Sequence, residues 1–316
     1  MQTPLDVGVD VSSKTVLVAC AARTFAPRTL SNEAKVLRGW LKSLPAGTRV
    51  GVEATGGYHQ LVADLAHAAG LTVYVLNPRD MKKYAEGVGR RGKTDRVDAE
   101  MIARFVAREH DRLHAYVPLS AAQRQLEQLL KRRGKLVAVR VALQLGWSGV
   151  GGVKKEMTAL YKAHAGLLRQ VDHLIQQAVA ELPEVQTRAR RLRAIPGYGE
   201  LGSVAIAHAL TRIPFTKVDA FIAHTGLDPR PDDSGDKRGR RRLSKRGPAE
   251  LRRIMYLCAM SARSTRVWRP YYLKQREKGL SGTAALVVLS RKMARTAYGI
   301  CKQQVAFDPT RLASTT

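Results

Sequence analysis

Leu5-Asp6-Val7-Gly8-Val9-Asp10 is a short apolar run that ends on a carboxylate, and Arg49-Val50-Gly51-Val52-Glu53 repeats the pattern. Both read as strands, because β-branched residues dominate and neither run is long enough for a helix. Working outward, strand and helix signals alternate. Thr15 to Ala21 reads as the hairpin partner of the first run, and Asn32 to Leu44 as a helix capped by Ser31 or Asn32. His59 to Ala69 reads as a helix closed by Gly70, and Leu71 to Leu76 as a strand stopped by Asn77-Pro78. A basic glycine-rich loop, Gly87 to Lys93, leads to Thr94, which can cap a helix from Asp95 to about His110. Such alternation predicts an α/β domain over residues 1–115.

The rest of the chain predicts helices. Ala121 to about Leu145 is a long amphipathic candidate interrupted by Gly134, and Gly146 to Gly152 a glycine-rich turn. Lys154 to Leu182 is a second long helix stopped at Pro183. In it Leu160, Leu167, Val171, Leu174 and Ala178 keep an a/d spacing, which suits a helical hairpin or dimerising coil as well as a plain packing helix. These two helices form a linker over residues 116–186. Residues 187–316 read as a third, basic, mostly helical region. There an apolar helix from Leu201 to Leu210 precedes a charged loop, Asp228 to Gly247. Pro248 suits the first position of a helix from Ala249 to about Ser264, and a final helix covers roughly Thr283 to Gln303.

Composition narrows the partner. The excess of 54 Lys and Arg over 26 Asp and Glu gives a net charge of +28 and a pI near 10.6, while hydrophobic content stays at 45%. That is a folded protein with a field that attracts nucleic acid or an anionic surface. No apolar run is long enough to span a membrane, and the N-terminus does not read as a secretory signal. Three scattered cysteines, Cys20, Cys258 and Cys301, fit a reducing cytoplasm and supply no zinc spacing.

Against that basic background four acids stand out. Asp10 and Glu53 end strands, and Asp95 and Asp98 lie three apart in the first turn of a helix, so they share a face. Mg²⁺ or Mn²⁺ takes oxygen ligands and needs few protein carboxylates, and a pair of ions could assist both sides of a phosphodiester. The plain alternative is that Asp10 opens a turn with Ser12 and Ser13 while Asp95 and Asp98 stabilise a helix N-terminus. Ser234, in Asp232-Asp233-Ser234-Gly235, is either a turn residue or a nucleophile that forms a phosphoserine. No histidine nearby would activate it, so the metal-bearing acids would have to. Ile195-Pro196-Gly197-Tyr198-Gly199 is similar to a helix-hairpin-helix hairpin, whose Gly197 and Gly199 would let backbone N–H groups approach a phosphate. Arg90, Arg91 and Lys93, and the run Lys237, Arg238, Arg240, Arg241, Arg242, Lys245 and Arg246, read as phosphate contacts. Aromatics are only 6% of residues, which favours backbone contacts over base stacking.

The ordered motifs Gly8-Val9-Asp10-Val11-Ser12, Val52-Glu53-Ala54-Thr55-Gly56-Gly57-Tyr58, Asn77-Pro78 and Lys93-Thr94-Asp95-Arg96-Val97-Asp98-Ala99 resemble the N-terminal domain of the DEDD transposases of the insertion-sequence 110/1111 group. The second half is similar too, through Ile195 to Gly199, Phe221, Gly226-Leu227-Asp228-Pro229-Arg230, Ser234-Gly235, Ser244-Lys245-Arg246-Gly247 and Leu251-Arg252-Arg253. The resemblance implies a RuvC-like (RNase H-like) domain whose Asp10, Glu53, Asp95 and Asp98 bind Mg²⁺, a coiled-coil linker, and a transposase domain with Ser234 as nucleophile. It further implies recombination of double-stranded target and donor DNA through a phosphoserine, guided by a structured bridge RNA. The assembly would be a homo-oligomer, dimers joining into a tetramer with composite active sites, in the cytoplasm of a prokaryote beside its nucleoid. The second reading is a metal-dependent, structure-specific DNA nuclease that uses the four acids alone. A third is a nucleic-acid-binding protein without catalysis. An actin-like sugar kinase, suggested by Asp6-x-Gly8-x-Asp10, lacks a second glycine-rich phosphate loop.

Overall fold

The computed structural model describes residues 3–89, 94–230, 239 and 241–313. The chain divides into two compact units, Met1–Pro118 and Leu119–Thr316. The first is a mixed α/β unit and the second is helical.

In the first unit the order is β1 (Asp6–Val11), β2 (Thr15–Cys20), β3 (Arg28–Ser31), α1 (Ala34–Lys42), β4 (Arg49–Glu53), α2 (His59–Ala68), β5 (Thr72–Leu76), α3 (Pro78–Gly87) and α4 (Asp95–Glu109), then a 3-10 turn, His110–Arg112. The sheet runs β3-β2-β1-β4-β5, with β1, β2 and β3 antiparallel and β1, β4 and β5 parallel. The Ser12 hydroxyl holds the first hairpin by accepting from the Thr15 amide at 3.0 Å.

Strand alternation sorts the two faces of this sheet. Val7, Val9 and Val11, with Val50, Val52 and Val73, pack against Leu37 and Trp40 of α1 and Val62 of α2. Tyr74 and Leu76 point the other way, to Met81 of α3 and Ile102 and Val106 of α4. Helices therefore cover both faces, as the near-continuous valine runs require.

Three details depart from the sequence reading. The first helix is capped at Glu33 rather than at Ser31 or Asn32, because the Asn32 amide instead donates to the Ser12 carbonyl at 3.0 Å and the Ser31 hydroxyl to Glu33 at 2.8 Å. Asn77-Pro78 does more than stop a strand. The Asn77 side chain accepts from the Arg79 amide at 2.9 Å, and Pro78 opens α3, a helix the apolar pattern did not reveal. Strand β3 carries no strand signal in the sequence, since Arg28-Thr29-Leu30-Ser31 is an edge with little apolar content.

The second unit contains α5 (Ala121–Gly146), α6 (Lys154–Ala180), α7 (Pro183–Arg193), α8 (Glu200–Arg212), α9 (Val218–Thr225), β6 (Pro229–Arg230), β7 (Arg242–Leu243), α10 (Ala249–Ala262), α11 (Arg269–Glu277), α12 (Gly282–Gln303) and α13 (Thr310–Ala313). Ser120 and Gln123 form a capping box at the start of α5. Helices α5 and α6 make an antiparallel pair. Arg133 pairs with Asp172, His164 Nε2 donates to the Leu136 carbonyl at 2.9 Å, and the Arg140 guanidinium lies 6.0 Å from the Tyr161 ring centroid.

Gly134 does not interrupt α5. A Cβ there would meet the Glu250 carboxylate, so the glycine gives α10 room to dock on an unbroken helix. The five a/d positions of α6 divide by exposure, within the antiparallel hairpin that α6 makes with α5. Leu160 and Leu167 are 45% and 49% exposed, and the buried stripe is Val171, Ile175, Ala178 and Val179, the i, i+4, i+7, i+8 pattern of a globular helix. Pro248 caps α10 rather than opening it. Helices α9 and α11 are short, eight and nine residues, and their apolar pattern is too brief to mark them in the sequence. The core of this unit gathers Leu126, Ile206, Phe221, Met255, Trp268 and Leu289.

Candidate metal centre

The site is built by two glycines. Gly8 on β1 and Gly51 on β4 face α4. A Cβ on Gly8 would collide with the Ala99 carbonyl and the Ala103 amide, and one on Gly51 would come within 2.5 Å of Val106 and 2.9 Å of Ile102. The α4 backbone thus lies flush on the sheet, closer than any side chain would permit. Two residues further along each strand, Asp10 and Glu53 keep the glycines' side of the sheet. The register Val9 to Val52 sets them side by side at the carboxyl ends of parallel strands, where open α/β sheets place their sites.

Helix α4 delivers the other two acids. The Thr94 hydroxyl accepts from the Val97 amide at 3.3 Å, which starts the helix so that Asp95 and Asp98 both fall in its first turn. Carboxylate oxygens of Asp10, Asp95 and Asp98 lie within 4.8 Å of one another, with Asp95 exposed and the others half-buried. Glu53 is half-buried beside Asp10, but its carboxylate falls outside that 4.8 Å group. One strand spacing of about 4.8 Å separates the two backbones.

The donor set is all oxygen and all anionic. Three carboxylates at this spacing repel by about 1 kcal/mol per pair in the dielectric of water, and by more wherever solvent is excluded. The N-terminal dipole of α4 offsets part of that. A hard divalent cation that favours oxygen ligands, Mg²⁺ or Mn²⁺, fits this chemistry, whereas zinc would be expected to recruit histidine or cysteine.

The basic candidates are distributed more widely. Ser234, Lys237, Arg238 and Arg240 lie outside the described residues, as do Arg90, Arg91 and Lys93. What flanks Ser234 is ordered by a short antiparallel ribbon, in which Pro229 pairs with Leu243 and Arg230 with Arg242. Buried Ser244 pins its base, hydrogen-bonding the Asp228 carboxylate through its hydroxyl and donating its amide to the Asp228 carbonyl at 2.9 Å. Arg252 donates to the Thr225 and Gly247 carbonyls at 3.4 and 3.2 Å, tying the same loop to α10. Asp228, Ser244 and Arg252 all stand in the matched motifs, but the Asp228–Ser244 bond and the hold of Arg252 on the Thr225 and Gly247 carbonyls are through-space facts that spacing could not reveal. Arg241, Arg242, Lys245 and Arg246 are exposed. Gly197 has φ +94° and packs on Ala262, so its lack of a side chain serves helix packing, while Gly199 opens α8 with clear space at its Cα.

Comparison with known proteins agrees with this layout. A family model described as a transposase, of the DEDD insertion-sequence 110 type, matches residues 7–145. A second, described as a transposase of the IS116/IS110/IS902 family, matches residues 189–273. The class is therefore that of transposases, enzymes that cut and rejoin DNA. This chain belongs to the IS116/IS110/IS902 family.

Its relatives include the pilin gene-inverting protein of Moraxella bovis, 26% identical over 96% of this chain and 97% of that protein. A probable family 20 transposase of Pseudomonas aeruginosa is 26% identical over 86% of this chain and 89% of its own length. The transposase for insertion sequence element IS1328 of Yersinia enterocolitica is 25% identical over 82% and 85%. Among the described residues no helix is long and apolar enough to cross a membrane.

Proposed function

We propose that this transposase is a metal-dependent, bridge-RNA-guided DNA recombinase that works through a covalent phosphoserine. Three carboxylates gathered at the strand ends of the first unit are the observation that carries the reading. Asp10, Asp95 and Asp98, joined by Glu53, would hold Mg²⁺ or Mn²⁺ in a RuvC-like domain spanning 1–115. When bound, the ion would neutralise phosphodiester charge and lower the pKa of an attacking hydroxyl. Residues 116–186 would act as a coiled-coil linker, and 187–316 as the transposase domain.

Ser234 would supply the nucleophile. Its Oγ–P bond forms as one P–O bond to a sugar breaks, and the departing sugar oxygen takes a proton. A sugar hydroxyl from the recombining strand then reverses the step, releasing the serine and resealing the DNA. Family membership and the ribbon pinned by Asp228 and Ser244 support this role. The inversion named in the Moraxella relative is rearrangement without loss of DNA, as a protein-linked intermediate allows. Composite sites built from different subunits of a tetramer would bring Ser234 to the acids. Arg90, Arg91, Lys93, the backbone at Gly197 and Gly199, and Lys237, Arg238, Arg240, Arg241, Arg242, Lys245 and Arg246 would contact phosphates of target DNA, donor DNA or guide RNA.

The competing reading is a nuclease that uses the acids alone, and the two differ in product. Incubating the chain and its copurifying RNA with DNA and resolving the mixture on a denaturing gel should show protein linked to DNA. Ser234→Ala should lose that adduct while still binding DNA. An undiminished adduct would remove Ser234 from the mechanism.

A further inference from the structure

The corner between α10 and α11 carries Arg263, Arg266, Arg269, Lys274, Arg276 and Lys278, against a single acid, Glu277. All six cations are exposed. Elsewhere in this unit arginines meet acids, as Arg212 meets Glu127, Arg253 meets Glu250 and Arg295 meets Asp219. Along 263–278 no such ion pair forms among the described residues. Uncompensated charge of this density costs self-repulsion, which an anionic partner would relieve.

The corner is also held rigid. Trp268 is only 1% exposed, and its indole N–H donates to the Pro196 carbonyl at 2.9 Å. Thr265 donates its hydroxyl to the Ala262 carbonyl at 2.7 Å, and Ala262 itself packs on Gly197. Arg266 and Arg269 thus flank an anchored ring. Arg263, Ser264, Arg269, Tyr272 and Leu273 line a shallow open groove there. Each polar side chain in that lining can donate a hydrogen bond, and none carries negative charge, the donor set that phosphodiester oxygens select. Tyr272 is half-buried and is the groove's one aromatic, so the lining offers no stack of rings for unpaired bases. The nucleic acid this chemistry favours is a duplex met along its backbone.

We propose that the α10–α11 corner is a contact for the sugar–phosphate backbone of duplex DNA, supplying affinity that does not depend on sequence. It lies outside the basic segments considered above and requires neither the metal centre nor Ser234. The test uses the full-length chain, a fluorescent duplex of arbitrary sequence, EDTA throughout and a series of salt concentrations read by anisotropy. EDTA separates this result from the metal reading, whose failure would appear in strand cutting. With Arg263→Gln, Arg266→Gln and Arg269→Gln combined, the slope of log affinity against log salt should become shallower by about 2 to 3, at roughly 0.9 for each lost phosphate contact. The loss should be the same on duplexes of unrelated sequence. Arginine-to-lysine changes at the same three positions should retain most of the slope. If the glutamine triple does not fold, the exposed pair Lys274→Gln and Lys278→Gln should lower the slope by about 1 to 2. A slope unchanged in a folded variant, or one reduced for structured RNA but not for duplex DNA, would overturn the proposal.

Discussion

Gly8 lies directly beneath Ala99: a methyl group at the glycine would strike the Ala99 carbonyl of α4. This contact decides how close the helix comes to the sheet, and therefore where Asp95 and Asp98 stand relative to Asp10. Gly8→Ala should destabilise the chain by about 1–3 kcal/mol, the usual range for overpacking, and Gly8→Val by more. Chemical denaturation would measure it. The alanine variant should also lose DNA cutting out of proportion to its lost stability, because lifting α4 separates the carboxylates. Full activity in Gly8→Val would show that the seating of α4 is irrelevant to the site.

The carboxylate cluster predicts a specific response to divalent ions. Wild-type protein should melt at higher temperature in Mg²⁺ or Mn²⁺ than in EDTA, since an ion that binds only the folded state stabilises it by mass action. Asp98→Asn should abolish most of that shift. DNA cutting by this variant should fall at least about 100-fold, equivalent to about 2.7 kcal/mol. Equal ion-dependent shifts in both proteins would argue for a helix-capping role of the acids and nothing more.

Trp268 joins α11 to the turn that precedes α8 through one hydrogen bond to Pro196. Trp268→Phe keeps most of the ring but leaves the Pro196 carbonyl without that donor, at a cost of about 1–3 kcal/mol. Trp268→Ala should cost about 3–5 kcal/mol. Denaturant midpoints would rank them, and a phenylalanine variant as stable as wild type would show that packing alone holds this corner.

Acid should weaken the second unit through His224. Burial, helped by the nearby charge of Arg212, lowers its pKa to about 4. An unfolded histidine titrates near 6.5, so the unfolded chain takes up this proton first. The stability contributed by neutral His224 is therefore complete above about pH 6.5 and is lost as pH falls toward 4, amounting to about 3 kcal/mol. His208 is shifted down too, chiefly by burial, and acts in the same direction. His224→Gln should flatten the stability profile between pH 6.5 and 4. Superimposable profiles for the two proteins would rule out this residue as the source.

Elements written in short-range code were readable from the chain. Alternation around Val7 and Val9, the stop at Gly70 and the Thr94 cap each involve residues within a turn or two, and the corresponding strands and helices match closely. Failures came where local signals were ambiguous. Asn77-Pro78 ends a strand and begins a helix with equal fitness, and a glycine such as Gly134 breaks a helix unless a neighbour uses the space it leaves. The a/d spacing in α6 left open which of its positions are buried: Val171 and Ala178 are, Leu160 and Leu167 are not, a choice made by what packs against the helix.

The acids themselves were visible as types and as strand-end or helix-start positions. Their convergence was not, since Asp10 and Asp98 are brought together by a sheet and a helix that meet only because Gly8 and Gly51 carry no side chains. The same division holds in the second unit, where proline, glycine and arginine spacing marked the segments but not the Asp228–Ser244 pin or the Trp268 anchor. Backbone preference and hydrophobic period act over a few residues and can be read in order along the chain. Distances between side chains remote in sequence depend on how whole elements pack, and packing is settled by steric fit among all of them at once.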